Sequence, residues 1–376
     1  MIRVLLAAGL YPPESGGPAT YAKMLATYLP EQDIEVVVLP FRSVRKYPKL
    51  IRHLAYFLQV YKKAAGTDIV YALDPVSVGL PAMFAAKLRR KKFMLRLGGD
   101  YAWEQGRGRF GLTVTLDDYT NDPKKAALAV RVLAKLQTFV ARQALVVVAP
   151  SNYLKQVIES WGVPAERVVT IYSNLSPVSP TRGAAEVHQQ YAAHTPVITT
   201  AARLVPWKGL RVLIDVVASM RDKYPSVLLL VIGDGPQEAE LQAHIAKYGL
   251  QQHVRLLGYQ PREQSANIIS ASDLFVLNTA YEGLSHQLLE VMDWETPIVT
   301  TTAGGNTELL SDGVDALLVP FDNEYKLTQA CFKVLNNPDI ADGLVRFAKK
   351  RTQDFTRAKA IDEIVTLLHE VQLLKV

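Results

Sequence analysis

Residues 197–236 read VITTAARLVPWKGLRVLIDVVASMRDKYPSVLLLVIGDGP. An apolar run at Val197 to Ala201, a loop, apolar residues at helical spacing from Leu210 to Met220 and a second apolar run from Val227 to Ile232 spell strand, helix, strand. Strands this uniformly apolar are buried on both faces, and strands joined through helices run parallel. The same rhythm continues on both sides. Downstream, strands are predicted at Val254 to Leu257, Asp273 to Leu277 and Ile298 to Thr301, with helices at Glu238 to Lys247, Ser285 to Trp294 and Tyr325 to Leu335. Upstream, strands are predicted at Ile2 to Ala8, Ile34 to Leu39, Ile69 to Tyr71, Lys92 to Leu97 and Leu145 to Ala149. Helices separate them at Ala19 to Leu29, Leu50 to Lys63, Val78 to Leu88 and Ala126 to Arg142. Residues 173–196, with three prolines and weak periodicity, read as a linker. The chain is thus expected to form two doubly wound, Rossmann-like α/β domains, about 1–175 and 195–355, followed by a terminal helix within 356–376.

The 376 residues suffice for two or three domains, and 49% hydrophobic with 21% charged residues is an ordinary globular composition. Cys331 is the single cysteine, so neither an intramolecular disulfide nor a multi-cysteine metal site can form. No apolar run approaches the roughly 20 residues of a spanning helix, and a cytoplasmic protein is expected. Charge is divided unevenly. Residues 1–180 hold 24 Lys and Arg against 13 Asp and Glu, a net +11, and the remainder is net −5. Residues 42–63 carry seven cations and no acid, and residues 87–96 six cations and no acid. Such stretches suit an anionic partner. Leu50, Leu54, Phe57, Leu58 and Tyr61 lie at helical spacing beside Lys49, Arg52, Lys62 and Lys63. That stripe either packs on the sheet or lies at an anionic membrane surface. No nucleic-acid module is recognisable, and nucleic acid is not an expected partner.

Open α/β sheets bind ligands at the carboxyl ends of their strands. The loop after Val197–Ala201 offers Arg203 and Lys208, five apart, which either converge on a phosphate or form a solvated basic loop. The next strand ends in Gly233-Asp234-Gly235-Pro236, which permits close backbone approach to a ligand but is also an everyday turn. Glu282 and Glu290 flank a helix start at Gly283-Leu284-Ser285, where free N–H groups favour a diphosphate. With about 1.5 Å rise per residue, the two carboxylates stand on the order of 10 Å apart, enough to reach a sugar and a ribose. The plain alternative is a dipole-favouring glutamate and a solvated one. Gly304-Gly305 forms a tight loop after a further strand. In the first half, Tyr11 to Pro18 joins strand to helix through Gly16 and Gly17, a loop open between a ligand contact and a turn.

Taken in order, these motifs resemble the retaining, nucleotide-sugar-dependent glycosyltransferases of family 4. Their GT-B fold has two Rossmann-like domains facing a central cleft, with a C-terminal helix returning to the first. The resemblance implies that Arg203 and Lys208 offset charge on the leaving nucleoside diphosphate. It further implies that Glu282 contacts sugar hydroxyls and Glu290 holds the ribose. Backbone at Gly16, Gly17, Gly233, Gly283, Leu284 and Ser285 would cradle the donor, with Tyr259 at the base. No cofactor beyond the donor substrate and no metal is implied. The acceptor would be a glycan or a lipid-linked sugar, and the enzyme would be cytoplasmic, or peripheral at the inner membrane face through 42–63 and 87–96. Where many members carry a donor-side histidine, this chain has Arg96-Leu97-Gly98-Gly99-Asp100, and His53 is the only histidine before residue 188. Asp100 is the nearest polar replacement, and it equally suits a turn cap. A retaining enzyme can let the departing phosphate take the acceptor proton, so activity does not require that histidine. A catalytically silent sugar-nucleotide binder and a GT-B epimerase are the competing readings.

Overall fold

The computed structural model describes residues 1–14, 16–173, 178–181 and 183–375, excepting the side chains of Lys49 and Leu50. The chain divides into two units, residues 1–173 with 357–376, and residues 174–356.

The first unit runs β1 (Ile2–Ala8), α1 (Gly17–Tyr28), β2 (Ile34–Pro40), α2 (Lys49–Ala64), β3 (Ile69–Ala72), α3 (Leu80–Leu88), β4 (Lys92–Arg96), α4 (Tyr101–Arg109), α5 (Leu116–Asn121), α6 (Leu128–Gln143), β5 (Val146–Ala149), α7 (Asn152–Ser160) and β6 (Val168–Thr170). Its six strands pair in parallel in the order β2-β1-β3-β4-β5-β6. The second unit runs α8 (Gly183–Tyr191), β7 (Val197–Ala201), α9 (Leu210–Met220), β8 (Leu228–Ile232), α10 (Glu238–Lys247), β9 (Val254–Gly258), α11 (Arg262–Ser270), β10 (Leu274–Leu277), α12 (His286–Asp293), β11 (Ile298–Thr301), α13 (Asn306–Leu309), β12 (Leu317–Val319), α14 (Glu324–Leu335) and α15 (Pro338–Arg351). Its strands pair in parallel in the order β12-β11-β10-β7-β8-β9. The last helix, α16 (Arg357–Leu373), returns to the first unit. There Ile361, Ile364, Leu367, Leu368 and Val371 join Val4, Leu6, Leu25, Met94 and Val148 in one apolar core.

Elements α4, α5, α7, β6, α11, α13, β12 and α15 are absent from the sequence reading, and two stretches that it does include take another form. The linker read over 173–196 contains α8, whose Val187 and Tyr191 are buried; it packs beside α11, and Asn267 of α11 accepts the Thr181 N–H at 2.7 Å. Residues 174–177 and 182 of that stretch lie outside the described residues. On α2 the inward face is Tyr56, Val60 and Ala64, whereas Leu54 and Leu58 are exposed. Leu54 and Leu58 therefore do not pack on the sheet, while Phe57 and Tyr61 are half-buried and the side chain of Leu50 lies outside the described residues; the helix is turned to bury Tyr56, whose hydroxyl donates to the Leu39 carbonyl at 2.7 Å. Cys331, on α14, is fully buried, and burial pushes its thiol up to about 12.

Candidate functional site

In the second unit the chain leaves β7 toward β8 and β9, then returns to build β10, β11 and β12 on the other side. The crevice of such a sheet lies where the order reverses, outside the carboxyl ends of β7 and β10. The loops leaving those two strands carry Lys208 and Glu282. Pro206–Lys208 forms a short 3₁₀ turn that stops at Gly209, whose φ of 51° is left-handed. A Cβ at Gly209 would collide with the side chains of Asn278 and Asp322, so glycine is required there. Asn278, buried at the end of β10, donates to the Gly209 carbonyl and to Asp322, each at 2.9 Å. The Trp207 carbonyl accepts the Ala280 N–H at 2.8 Å. This backbone stitching sets the Lys208 ammonium on the Glu282 carboxylate as an ion pair, with side chains 15% and 16% exposed.

The glycines of the neighbouring loops serve mainly this assembly. Gly233 has a φ of 128°, and a Cβ there would strike the Ala202 carbonyl; one at Gly235 would strike Leu204 backbone. Leu204 N–H donates to the Asp234 carbonyl at 2.8 Å, joining the loops after β7 and β8. The close approach these glycines permit is thus to a neighbouring loop. Gly305 likewise presses on the Gly283 carbonyl and donates its N–H to the Glu282 carbonyl at 2.9 Å. Gly283 and Leu284 are buried, and Ser285 caps α12 by accepting the Leu288 N–H at 3.3 Å.

Glu290, one face along α12, meets a residue that sequence reasoning missed. Arg262, at the start of α11, donates through Nε at 2.8 Å and through Nη2, both to Oε1. Burial raises the Glu290 carboxyl and Arg262 opposes that rise. With both contacts on Oε1, Oε2 is the acceptor available to a hydroxyl. Tyr259 is exposed just past β9. Arg203 is exposed and makes no ion pair among the described residues.

The first unit has its own reversal point between β1 and β3. Gly16 caps α1 with a φ of 116°, which favours glycine although a Cβ would meet only Pro18 Cδ at an ordinary 3.9 Å; Gly17 opens the helix, and Ser15 lies outside the described residues. Asp100 is fully buried and caps α4: its Oδ1 accepts the Trp103 N–H at 2.9 Å and the Gln137 amide at 3.0 Å, while burial raises its carboxyl. The structure therefore gives Asp100 a capping role whatever else it does. Nearby, Arg96 is 4% exposed, stacks on the Tyr21 ring at 3.7 Å and donates to Ser173 at 3.4 Å, with no carboxylate partner among the described residues.

Asp74, after β3, accepts N–H bonds from Val76, Ser77 and Val78 through Oδ1, yet burial dominates and lifts its pKa to about 6. The folded chain keeps this proton at a pH where the unfolded chain has released it. Its stabilising contribution is complete below about pH 4 and is lost as pH rises through 6. Asp74→Asn, which retains the Oδ1 acceptor, is expected to gain on the wild type by up to about 3 kcal/mol between pH 4 and 7, at 1.36 kcal/mol per pKa unit. Parallel denaturant titrations across that range read the difference, and equal slopes for both proteins would contradict it.

The basic segments are partly consumed inside the fold. Arg42 donates to the Pro12 carbonyl at 2.7 Å, Arg45 pairs with Glu14, Arg89 donates to the Tyr61 carbonyl at 3.0 Å, and Lys92 reaches the Gln372 carbonyl. Arg52 is half-buried over the Phe41 ring. Lys62 and Lys63 are exposed, and the Lys49 side chain lies outside the described residues. Among the described residues no helix is long and apolar enough to cross a membrane.

Residues 4–173 match the family model described as glycosyl transferase 4-like domain, and residues 185–351 the one described as glycosyl transferases group 1. Among curated proteins, the chain is similar to alpha-D-kanosaminyltransferase of Streptomyces kanamyceticus, 25% identical over 191 residues and half of each chain. It is also similar to trehalose synthase of Pyrococcus furiosus, 30% identical over 184 residues, which are 46% of this chain and 44% of that one. The chain thus spans about half the length of the curated relatives it matches. Among solved structures, Anabaena HepE in complex with UDP and glucose superposes with a TM-score of 0.79 at 19% identity, covering 98% of this chain and all of that one. Sucrose-phosphate synthase from Thermosynechococcus elongatus gives 0.80 at 17% identity, covering 99% of each. The fold is GT-B.

Proposed function

We propose, from a chain that carries a glycosyl transferase 4-like domain and a group 1 glycosyl transferase domain, that it moves a sugar from a nucleoside-diphosphate donor to a glycan or lipid-linked acceptor with retention. The observation that carries this reading is the Lys208–Glu282 pair at the reversal point of the second sheet, with Glu290 on helix α12, which that loop leads into. A donor diphosphate entering there draws Lys208 onto its oxygens, and Arg203, exposed on the same loop, supplies a second cation. Together they offset the negative charge that grows as the glycosidic bond breaks, so the reading needs no divalent ion. Glu282, released from the ammonium, accepts hydroxyls of the sugar. Oε2 of Glu290, held by Arg262, accepts from the ribose. The acceptor oxygen attacks from the face the diphosphate leaves, and a departing phosphate oxygen takes its proton, which makes a histidine base unnecessary. The UDP in the HepE structure supports a uridine nucleotide as the first donor to try.

The test is transfer from labelled nucleotide sugars in chelator-treated buffer, with the product anomer read by NMR. An inverted anomer would refute retention, and a metal requirement would refute the role given to the cations. Glu290→Gln is expected to raise the donor KM about tenfold with kcat nearly unchanged, whereas Glu282→Gln lowers kcat by about a hundredfold; initial rates over a donor series separate the two. The silent-binder reading draws on Asp100, whose carboxylate is already engaged as a cap. Donor binding with neither transfer nor hydrolysis would favour it.

A further inference from the structure

Helix α3 packs against both α2 and α6 in the first unit, and none of the 41 residues of these three helices is an Asp or Glu. Their outer surface is apolar to an unusual degree. Ile51, Leu54 and Leu58 project from α2, Phe84 and Leu88 from α3, and Leu128, Val132 and Phe139 from α6, with Leu54 60%, Leu88 66% and Leu128 73% exposed. Phe84 and Phe139 meet at 6.4 Å, so the apolar surface runs on from α3 to α6. Along α6 opens a groove of about 590 Å³ whose charged lining is Lys124, Arg131, Lys135 and Arg142, with no acid. Arg142 donates to the Trp161 carbonyl at 2.6 Å, while Lys124, Arg131 and Lys135 make no ion pair among the described residues. Four cations without a counter-ion repel one another, and an anion entering the groove relieves that repulsion.

We propose that this face docks the first unit on an anionic lipid bilayer, with lipid phosphates in the α6 groove and the exposed leucines and phenylalanines in the acyl boundary. Charge complementarity selects an anionic occupant, and the aliphatic character selects lipid over nucleic acid: exposed leucines have no function against a phosphate backbone, whereas an interfacial helix buries them. The apolar contacts on α2 and at Leu88 lie within the basic segments 42–63 and 87–96, but the phosphate-binding cations do not: several of the cations in those segments are spent within the fold, and Lys124, Arg131 and Lys135 of the α6 groove take their place. Docking would bring the first unit to lipid-linked acceptors, but the docking itself does not depend on the transfer reaction.

Co-sedimentation with phosphatidylglycerol-containing vesicles, in the absence of donor, tests it. The wild type is expected to sediment at low salt and not with pure phosphatidylcholine. Each cation at an anionic surface is worth about a fivefold change in partitioning, so the combined Lys124→Gln, Arg131→Gln, Lys135→Gln variant should lose about a hundredfold. Leu54→Ser with Leu128→Ser should also weaken binding, and more so at high salt, where screening leaves the apolar contribution dominant. All five side chains are exposed, so thermal unfolding should be unchanged in both variants. No sedimentation with anionic vesicles, or equal partitioning of wild type and triple variant, would overturn the proposal. So would duplex DNA binding that is insensitive to the leucine changes, which would make the face a nucleic-acid surface. A concentration-dependent dimer abolished by the leucine changes would assign it to a second copy and overturn it equally.

Discussion

If the proposed transfer reaction holds, Lys208→Met is expected to lower it by about 100- to 1,000-fold, the range seen when one preorganised donor to a developing oxyanion is removed. The ammonium is held by backbone stitching between the loops after β7 and β10, so no neighbouring cation can take its place without rebuilding both. The substitution also strands Glu282, whose side chain is only 16% exposed, and therefore lowers stability as well as rate. The two effects separate in the double variant with Glu282→Gln, which removes the stranded charge. Stability is expected to recover while transfer stays low. If the double variant transfers sugar as fast as Glu282→Gln alone, the ammonium acts only as a counter-ion to Glu282 and the proposed phosphate role is wrong. Calorimetry and initial rates on the same four proteins decide the matter.

Leu368→Ala costs the first unit about 2 to 5 kcal/mol, the usual range for truncating a fully buried leucine. Leu368 lies on α16 and packs into the core shared with β1, α1, β4 and β5, although those elements precede it by more than 200 residues. The second unit has a separate core, centred on Leu213, Ile214, Leu229, Val276 and Val299, which the substitution does not touch. Hydrogen exchange should accelerate for amides of β1, β3 and β4 while those of β7, β8 and β10 keep their protection. Uniform acceleration across both sheets would show that the units unfold together, and no acceleration anywhere would show that α16 contributes little to the core.

The parallel sheets were legible because their central strands are apolar or β-branched throughout. Val197 to Ala201 and Leu228 to Ile232 admit no other assignment once the helix between them is recognised. The edge strands β6 and β12 were not legible, since three residues carry no periodicity. Helix α11 escaped for a different reason: Arg262 to Ser270 is polar over its first turn, and its buried face includes Ser265 and Asn267 alongside two isoleucines. At the site, the residue types and strand-end positions of Lys208 and Glu282 could be read singly. Their pairing across 74 residues could not, because it depends on which strands become neighbours. Arg262 has no motif around it; its role exists only because α11 starts beside α12. Gly233 and Gly235 were noticed for close backbone approach, and the approach the structure shows is to the neighbouring loop after β7, a long-range fact that a local turn pattern does not encode.

The solitary Cys331 gives the chain an advantage for chemical labelling. Its thiol is sealed in the core of the second unit, and a pKa pushed up to about 12 leaves roughly one molecule in ten thousand as thiolate at pH 8. Maleimides and other thiolate-seeking reagents therefore meet an unreactive background in the native protein without any cysteine having to be removed. A cysteine introduced at Leu54, Leu128 or another exposed position would be the one reactive handle. A polarity-sensitive fluorophore placed there could report, residue by residue, which parts of the α2, α3 and α6 surface leave water.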